Sequence, residues 1–241
     1  MKQYFNISTA ALLVVLLLSA CKKEKQGPEE GPQGPKITLT KAANAKSGWT
    51  LYLDAADADR AGIWVDLNNN GTRDNGEAIT KFGREYANRN LFSLGTSKTV
   101  VLYGRVTVFY CHDGELTKLD VSKSPEMKEL YCMAGELTEL DVSKNIALEK
   151  LACYSNQLTA LNLSGNTHIK YAEVYNNRIL AANMTQLISS LPARMPADAA
   201  ALYVRQGADN NSRPAAGDIA TAKAKNWKLY EFVDGAGWTG L

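Results

Sequence analysis

The chain has 241 residues, 27 of them Lys or Arg and 25 Asp or Glu, for a formal net charge of +2. That length supports a sizeable core and more than one structural unit. The near-balanced charge gives no sign of a nucleic-acid partner or of a polybasic membrane patch.

In chain order, Met1 to Cys21 reads as a secretion signal, with Lys2 ahead of the apolar run ALLVVLLL and then Leu18, Ser19, Ala20 and Cys21. The run is short for a transmembrane helix. Small residues before a cysteine at the end of such a run resemble the lipobox of bacterial lipoproteins. The resemblance implies cleavage after residue 20, acylation of Cys21 and a place in the bacterial cell envelope as an outer-membrane, possible cell-surface lipoprotein; an ordinary signal peptide is the alternative. Residues 21–36, through KKEKQGPEEGPQGPK, are too polar and too rich in glycine and proline to fold, and read as a tether from the membrane.

Residues 37–104 read as a small β domain. ITLT, the alternation Trp49, Leu51, Leu53, then IWVDL and TVVLY are strand-like runs divided by polar turns. Its expected task is to cover the first of the repeats that follow. Within it, Asp66, Asn68, Asn70, Asp74 and Glu77 place oxygen side chains at positions one, three, five, nine and twelve of a loop. Gly71 stands at six, and Thr72 at seven would offer its carbonyl. The spacing resembles the calcium loop of EF-hands and their helix-free relatives, and implies calcium as a structural cofactor. A polar β-turn uses the same residue types.

Residues 105–182 carry a repeat. Phe109, Leu130 and Leu151 fall 21 residues apart, as do Cys111, Cys132 and Cys153, then Leu116, Leu137 and Leu158, and Leu119, Leu140 and Leu161. A fourth repeat begins at Ala172, Val174, Asn177 and Ile179. One repeat cannot bury enough apolar surface to offset its own ordering, so neighbours must stack and be capped. In a strand such as Leu130, Tyr131, Cys132, the leucine and cysteine face the core and the tyrosine faces out. The equal spacing predicts a ladder of buried thiols, although an oxidising compartment would permit a bridge between neighbouring rungs.

The pattern Leu148, Leu151, Cys153, Asn156, Leu158, Leu161 resembles the leucine-rich repeat, and more narrowly the short repeats of internalin J and of Bacteroidetes surface proteins. The resemblance implies an α/β solenoid with a short parallel β-sheet, the small N-terminal β domain as one cap, and helix-bearing C-terminal repeats as the other. It also implies that Asn156 and Asn177 bond the backbone of an adjacent turn, where Gly114 and Gly135 stand in the first two repeats. Residues 183–241 form the expected C-terminal cap. Met184, Leu187, Ile188 and Leu191 have helical spacing up to Pro192, LYVRQ reads as a strand, Asp218 as the cap of a second helix, and WKLYEFV as a final strand.

Outward strand positions would form the concave face of such a solenoid: Tyr110, His112, Tyr131, Met133, Tyr154, Tyr171, Tyr175 and Tyr203, beside Val108, Glu129, Lys150, Ala152, Glu173 and Arg205. Tyrosine is frequent at interfaces, which makes a protein, peptide or glycan the expected ligand of an adhesion or binding module; tyrosine also suits an exposed strand for its own sake. Catalysis is not expected. Cys111 and His112 are strand neighbours facing opposite sides and cannot act as a dyad. The alternative to binding is an envelope scaffold without a discrete ligand.

Overall fold

The computed structural model describes residues 32–93, 95, 97–112, 115–207 and 210–241. The signal sequence, the lipidation candidate Cys21, the tether up to residue 31 and Gly114 lie outside them. The first strand, β1 (Lys36–Lys41), starts where the proline and glycine run ends, and buries Ile37 and Leu39 on alternate positions.

Two sheets organise the described residues. The smaller is antiparallel and has the order β3 (Trp64–Asp66), β5 (Thr99–Tyr103), β1, β7 (Leu116–Lys123). The larger has nine strands. At its centre, β6 (Val108–Tyr110), β8 (Glu129–Tyr131), β9 (Lys150–Ala152), β10 (Tyr171–Glu173), β11 (Ala200–Gln206) and β12 (Trp227–Val233) run parallel. Antiparallel strands flank that run. On the β6 side β2 (Trp49–Asp54) pairs Tyr52 with Tyr110, and β4 (Asn90–Phe92) pairs with β2 in turn; on the β12 side lies β13 (Gly237–Gly240).

The expected α/β solenoid is not the fold class observed. The described chain is mostly β, its two sheets of four and nine strands mix orientations, and its α-helices number three: α1 (Asp57–Arg60), α2 (Ala181–Ser190) and α3 (Ala216–Ala224). The physical reason lies in the return legs. Between the short parallel strands the 21-residue period leaves turns and extended segments rather than helices, and in the first repeat the return leg is itself a strand, β7, hydrogen-bonded to β1 in the smaller sheet. Helices of more than one turn occur only after the period lengthens. α2 buries Met184, Leu187 and Ile188 and ends ahead of Pro192, as its spacing predicts. α3 starts at Ala216, so Asp218 is not its cap residue but sits in its first turn, its carboxylate accepting the Ala215 N–H at 2.9 Å.

The periodicity itself is expressed as strand register. Phe109 pairs with Leu130, Leu130 with Leu151 and Leu151 with Ala172, all buried in one continuous core. The N–H groups of Cys111, Cys132 and Cys153 donate to Tyr131, Ala152 and Glu173 carbonyls on the next strand at 2.8, 2.8 and 3.0 Å. Return legs are tied less densely, by Glu136 N–H to Leu116, Gln157 N–H to Leu137 and Arg178 N–H to Leu158, each at 2.8 Å.

Turns that bend into the core need their carbonyls answered, and asparagine side chains do this in two columns. In the first, the Asn156 amide donates to Cys132 at 2.8 Å and Cys153 at 3.1 Å while its oxygen accepts the Leu137 N–H. Asn177 repeats the pattern on Cys153, Val174 and Leu158. Asn211 does the same for Val174, Val204 and Ile179. In the second column, Asn145 donates to Val121 and Ser124, and Asn166 to Val142 and Asn145. Just before the first-column positions Gly135, Asn156 and Asn177, the residues Ala134, Ser155 and Asn176 share the left-handed backbone region, at φ 55°, 55° and 53°.

A buried amide bound to two carbonyls cannot be removed without leaving both unpaired. Replacing Asn166 by Ala is expected to cost about 2–4 kcal/mol of stability in urea unfolding. An unchanged midpoint would show that these carbonyls find other partners.

Candidate functional site

The parallel run turns one side chain per strand outward at each level, and in-register pairing brings like positions together. Tyr110 lies against Tyr131 with ring centroids 5.6 Å apart, and Tyr52 from β2 meets Tyr110 edge-on at 5.4 Å. A second group begins at Tyr154 and Tyr175, stacked at 4.5 Å and 10°. It continues through Trp238, which touches Tyr175, Tyr203 and Phe232, and through Tyr203, which contacts Tyr171 and stacks on Tyr230 at 4.9 Å and 15°. All seven of these tyrosines on the parallel strands and their continuations are half-buried.

Of the outward residues expected from the sequence, the structure thus brings Tyr110 and Tyr131 into one cluster and Tyr154, Tyr171, Tyr175 and Tyr203 into another. His112 is exposed beyond the end of β6. Met133 is not on the accessible face, being 4 % exposed. Ala152 is fully buried between its in-register neighbours Tyr131 and Glu173, which divides the two clusters. Tyr52, Tyr230, Phe232, Trp238 and Arg84 were missed. Tyr52 is outward in the β2 alternation and Tyr230 in WKLYEFV. Trp238 was signalled only by the Asp234-Gly235 pair, which marks a hairpin after β12.

Most charges on this face are paired with an opposite charge; Glu173 instead accepts the Tyr171 hydroxyl. Arg84 forms an ion pair with Glu129, donates to the Tyr131 hydroxyl at 3.0 Å and lies over the Tyr131 ring. The Tyr131 hydroxyl donates to Glu129 at 2.6 Å, and Lys150 approaches Glu129 at 3.4 Å. At the far end Arg213 grips Glu231 through two bonds, at 3.1 and 2.8 Å. Burial, followed by the bond to Glu129, pushes the Tyr131 phenol up. Burial, followed by the bond to Glu173, does so for Tyr171; in Tyr175 burial is joined by the Glu173 charge. Burial likewise raises Tyr110 and Tyr203. The face is therefore an aromatic surface edged with hydroxyls, with the Glu173 carboxylate among them.

The loop after β3 folds as its residues suggest but bonds to itself. Asp66, fully buried, accepts the N–H groups of Asn70 at 3.1 Å and Gly71 at 2.7 Å. Glu77 accepts those of Leu67 at 2.8 Å and Asp74 at 2.7 Å. Asn68 and Asn70 both turn their amide nitrogens to Asp74 at 2.8 Å, and the Asn70 oxygen takes the Thr72 N–H and hydroxyl. Among the described residues no group of three or more His, Cys, Asp or Glu side chains is arranged to hold a metal ion. Calcium coordination at this loop requires the two asparagine amides to rotate so that their oxygens face the carboxylates; the donors themselves are the hard oxygens such an ion takes.

Cys111, Cys132 and Cys153 are all fully buried. Burial pushes the Cys153 thiol up to about 12 and the Cys132 thiol well above its ordinary value, with the neighbouring thiols adding to the latter. They are packing groups, not nucleophiles. His112, exposed beside buried Cys111, forms no dyad with it.

No protein-family model matches the chain, and no curated protein matches it in sequence. With Cys21 replaced by Ser, an aromatic disulfide reagent at pH 8 is expected to titrate no thiol in the folded protein and three after denaturation. A count of one after denaturation would reveal a bridge between rungs.

Proposed function

We propose that this chain is a non-enzymatic, lipid-anchored protein of the bacterial cell envelope that binds a protein, peptide or glycan partner through the aromatic face of its parallel strands. The observation that carries the reading is the continuity of that face: from Tyr154 and Tyr175 through Trp238 and Tyr203 to Tyr230, rings touch one another across strands. Because the stacked rings use their faces on one another, they offer a partner edges and hydroxyls, which suits hydrogen bonding with an apolar margin. Six strands ~4.8 Å apart span only ~24 Å, so the footprint is small. Membrane attachment in this reading is by acylation of Cys21; no helix of the described residues is long and apolar enough to cross a membrane.

The double variant Tyr131→Ala, Tyr154→Ala tests binding. Loss of two interfacial aromatics is expected to weaken capture of a partner from envelope or host-surface protein and glycan arrays by more than about 30-fold. Unchanged capture by a variant with native circular dichroism would leave the scaffold reading in its place. Digestion of intact cells with protease, releasing the folded part by cleavage in the tether, is the companion measurement of surface exposure.

Calcium belongs to the same proposal as a structural ion of the loop Asp66–Glu77, holding β3 to the turn that follows rather than performing chemistry. Saturating calcium is then expected to raise the melting temperature by about 5 °C or more over chelator. Glu77→Gln should abolish the rise, and equal melting with and without the ion would make the loop a self-closed turn.

A further inference from the structure

The return legs carry a second surface, away from the tyrosines, that the reading above does not use. A groove of about 1020 Å³ runs across them, from Thr38 and Thr40 of β1, over β7 and the next two legs, to Gln186 and Ser190 of α2. Its floor is a row of leucines 21 residues apart: Leu119, Leu140 and Leu161 are 8 %, 8 % and 5 % exposed, whereas the leucines of the parallel strands, Leu130 and Leu151, are sealed. Beside the floor stands a second row on the same step, Asp120, Asp141 and Asn162. Each fixes its own orientation by accepting the N–H two residues on, from Ser122 at 2.9 Å, Ser143 at 2.8 Å and Ser164 at 2.9 Å. One oxygen of each is thus spent on the turn, and all three residues are exposed. Apolar strips bordered by preset acceptors and by serine and threonine hydroxyls recur on every rung.

We propose that this groove binds a linear, neutral oligosaccharide of three or more sugars. Sugar rings are amphipathic, with C–H faces for the leucine row and hydroxyls for the Asp, Asn, Ser and Thr rows. The rung spacing, ~4.8 Å, is about the length of one sugar in an extended chain, so successive residues meet the same chemistry. The charged lining residues are Lys118, Asp120, Glu139 and Asp141, one positive against three negative, which disfavours acidic glycans and nucleic acid. The same excess of carboxylates would also suit a basic peptide, which is therefore the competing occupant to be tested.

The test titrates the full chain with cellohexaose, xylohexaose and mannohexaose, and with a basic hexapeptide as the competing ligand. At least one neutral hexasaccharide is expected to bind at millimolar concentration or below. Ala160→Trp and, separately, Ser164→Trp place a ring in the groove from exposed positions, and each should weaken that binding at least tenfold while leaving the circular dichroism unchanged. Asp141→Asn keeps the turn acceptor and should retain sugar binding within a few-fold. The Tyr131→Ala, Tyr154→Ala variant should bind the sugar as the parent does, which separates this site from the aromatic face. Absence of binding to all three sugars overturns the proposal. So does binding indifferent to both tryptophans, loss of sugar binding in the tyrosine variant alone, or selective binding of the basic peptide that disappears in Asp141→Asn.

Discussion

Wherever this chain turns into its own core, backbone carbonyls are carried out of water, and the structure depends on asparagine side chains to meet them. Asn156, Asn177 and Asn211 bond carbonyls of their own strand end and of the preceding rung at once, and Asn145 and Asn166, on the return legs, each bond two carbonyls of the preceding rung. Asparagine suits the task because one short side chain supplies two donors and an acceptor without charge. A carboxylate could not donate, and a leucine of equal bulk would leave each carbonyl unpaired at a cost of about 1–3 kcal/mol. Cooperation between rungs therefore has a polar component as well as the apolar one: removing a rung exposes leucines and also strips its neighbour of hydrogen bonds.

The same clamps set where the aromatic face lies. Ala134, Ser155 and Asn176 take left-handed backbone just ahead of the first-column positions, so each strand ends at the same level and the residue before the turn is held in register. Tyr154 and Tyr175 belong to those strand ends, and their stacking at 4.5 Å is the side-chain counterpart of the Asn156 and Asn177 pairing beneath them. A non-glycine residue in that region is disfavoured by roughly 1–2 kcal/mol. Three in a column persist because the surrounding bonds fix the turn whatever residue occupies it.

Much of this was legible where a local pattern and a tertiary partner agree. Alternation placed Trp49, Leu51 and Leu53 inward, the 21-residue step predicted the pairing of Phe109 with Leu130 and Leu151, and the spacing of the cysteines predicted three buried thiols. The failures occur where the partner comes from elsewhere. Leu116–Lys123 has the same wording as the later return legs, yet becomes a strand because β1 lies beside it. Met133 occupies an outward period position but is buried at the turn. Asn145 and Asn166 were visible on the same step as the leucines and were passed over because a polar residue in a turn looks solvated until the carbonyls beneath it are counted. The fold class failed for a related reason: a repeat period constrains how rungs pair, but not whether the segment between strands is helical, and here the flanking antiparallel strands and the second sheet make the molecule predominantly β.

A core built of three-residue strands has an unusual proportion of its surface in two long strips, one per side of each rung, and the two carry different chemistry. On the strand side, outward residues are close enough across neighbours for rings to stack, so the surface is aromatic and most of its charges are paired. On the return-leg side fewer backbone bonds join the connections, and the residues there are short: Ser, Thr, Asp and Asn above a narrow leucine floor. Dense strand pairing favours large rings that seal against one another; sparser pairing favours small polar groups that bond to their own turns. The division between an aromatic face and a hydroxyl-lined groove therefore follows from how tightly each side of the rung is hydrogen-bonded.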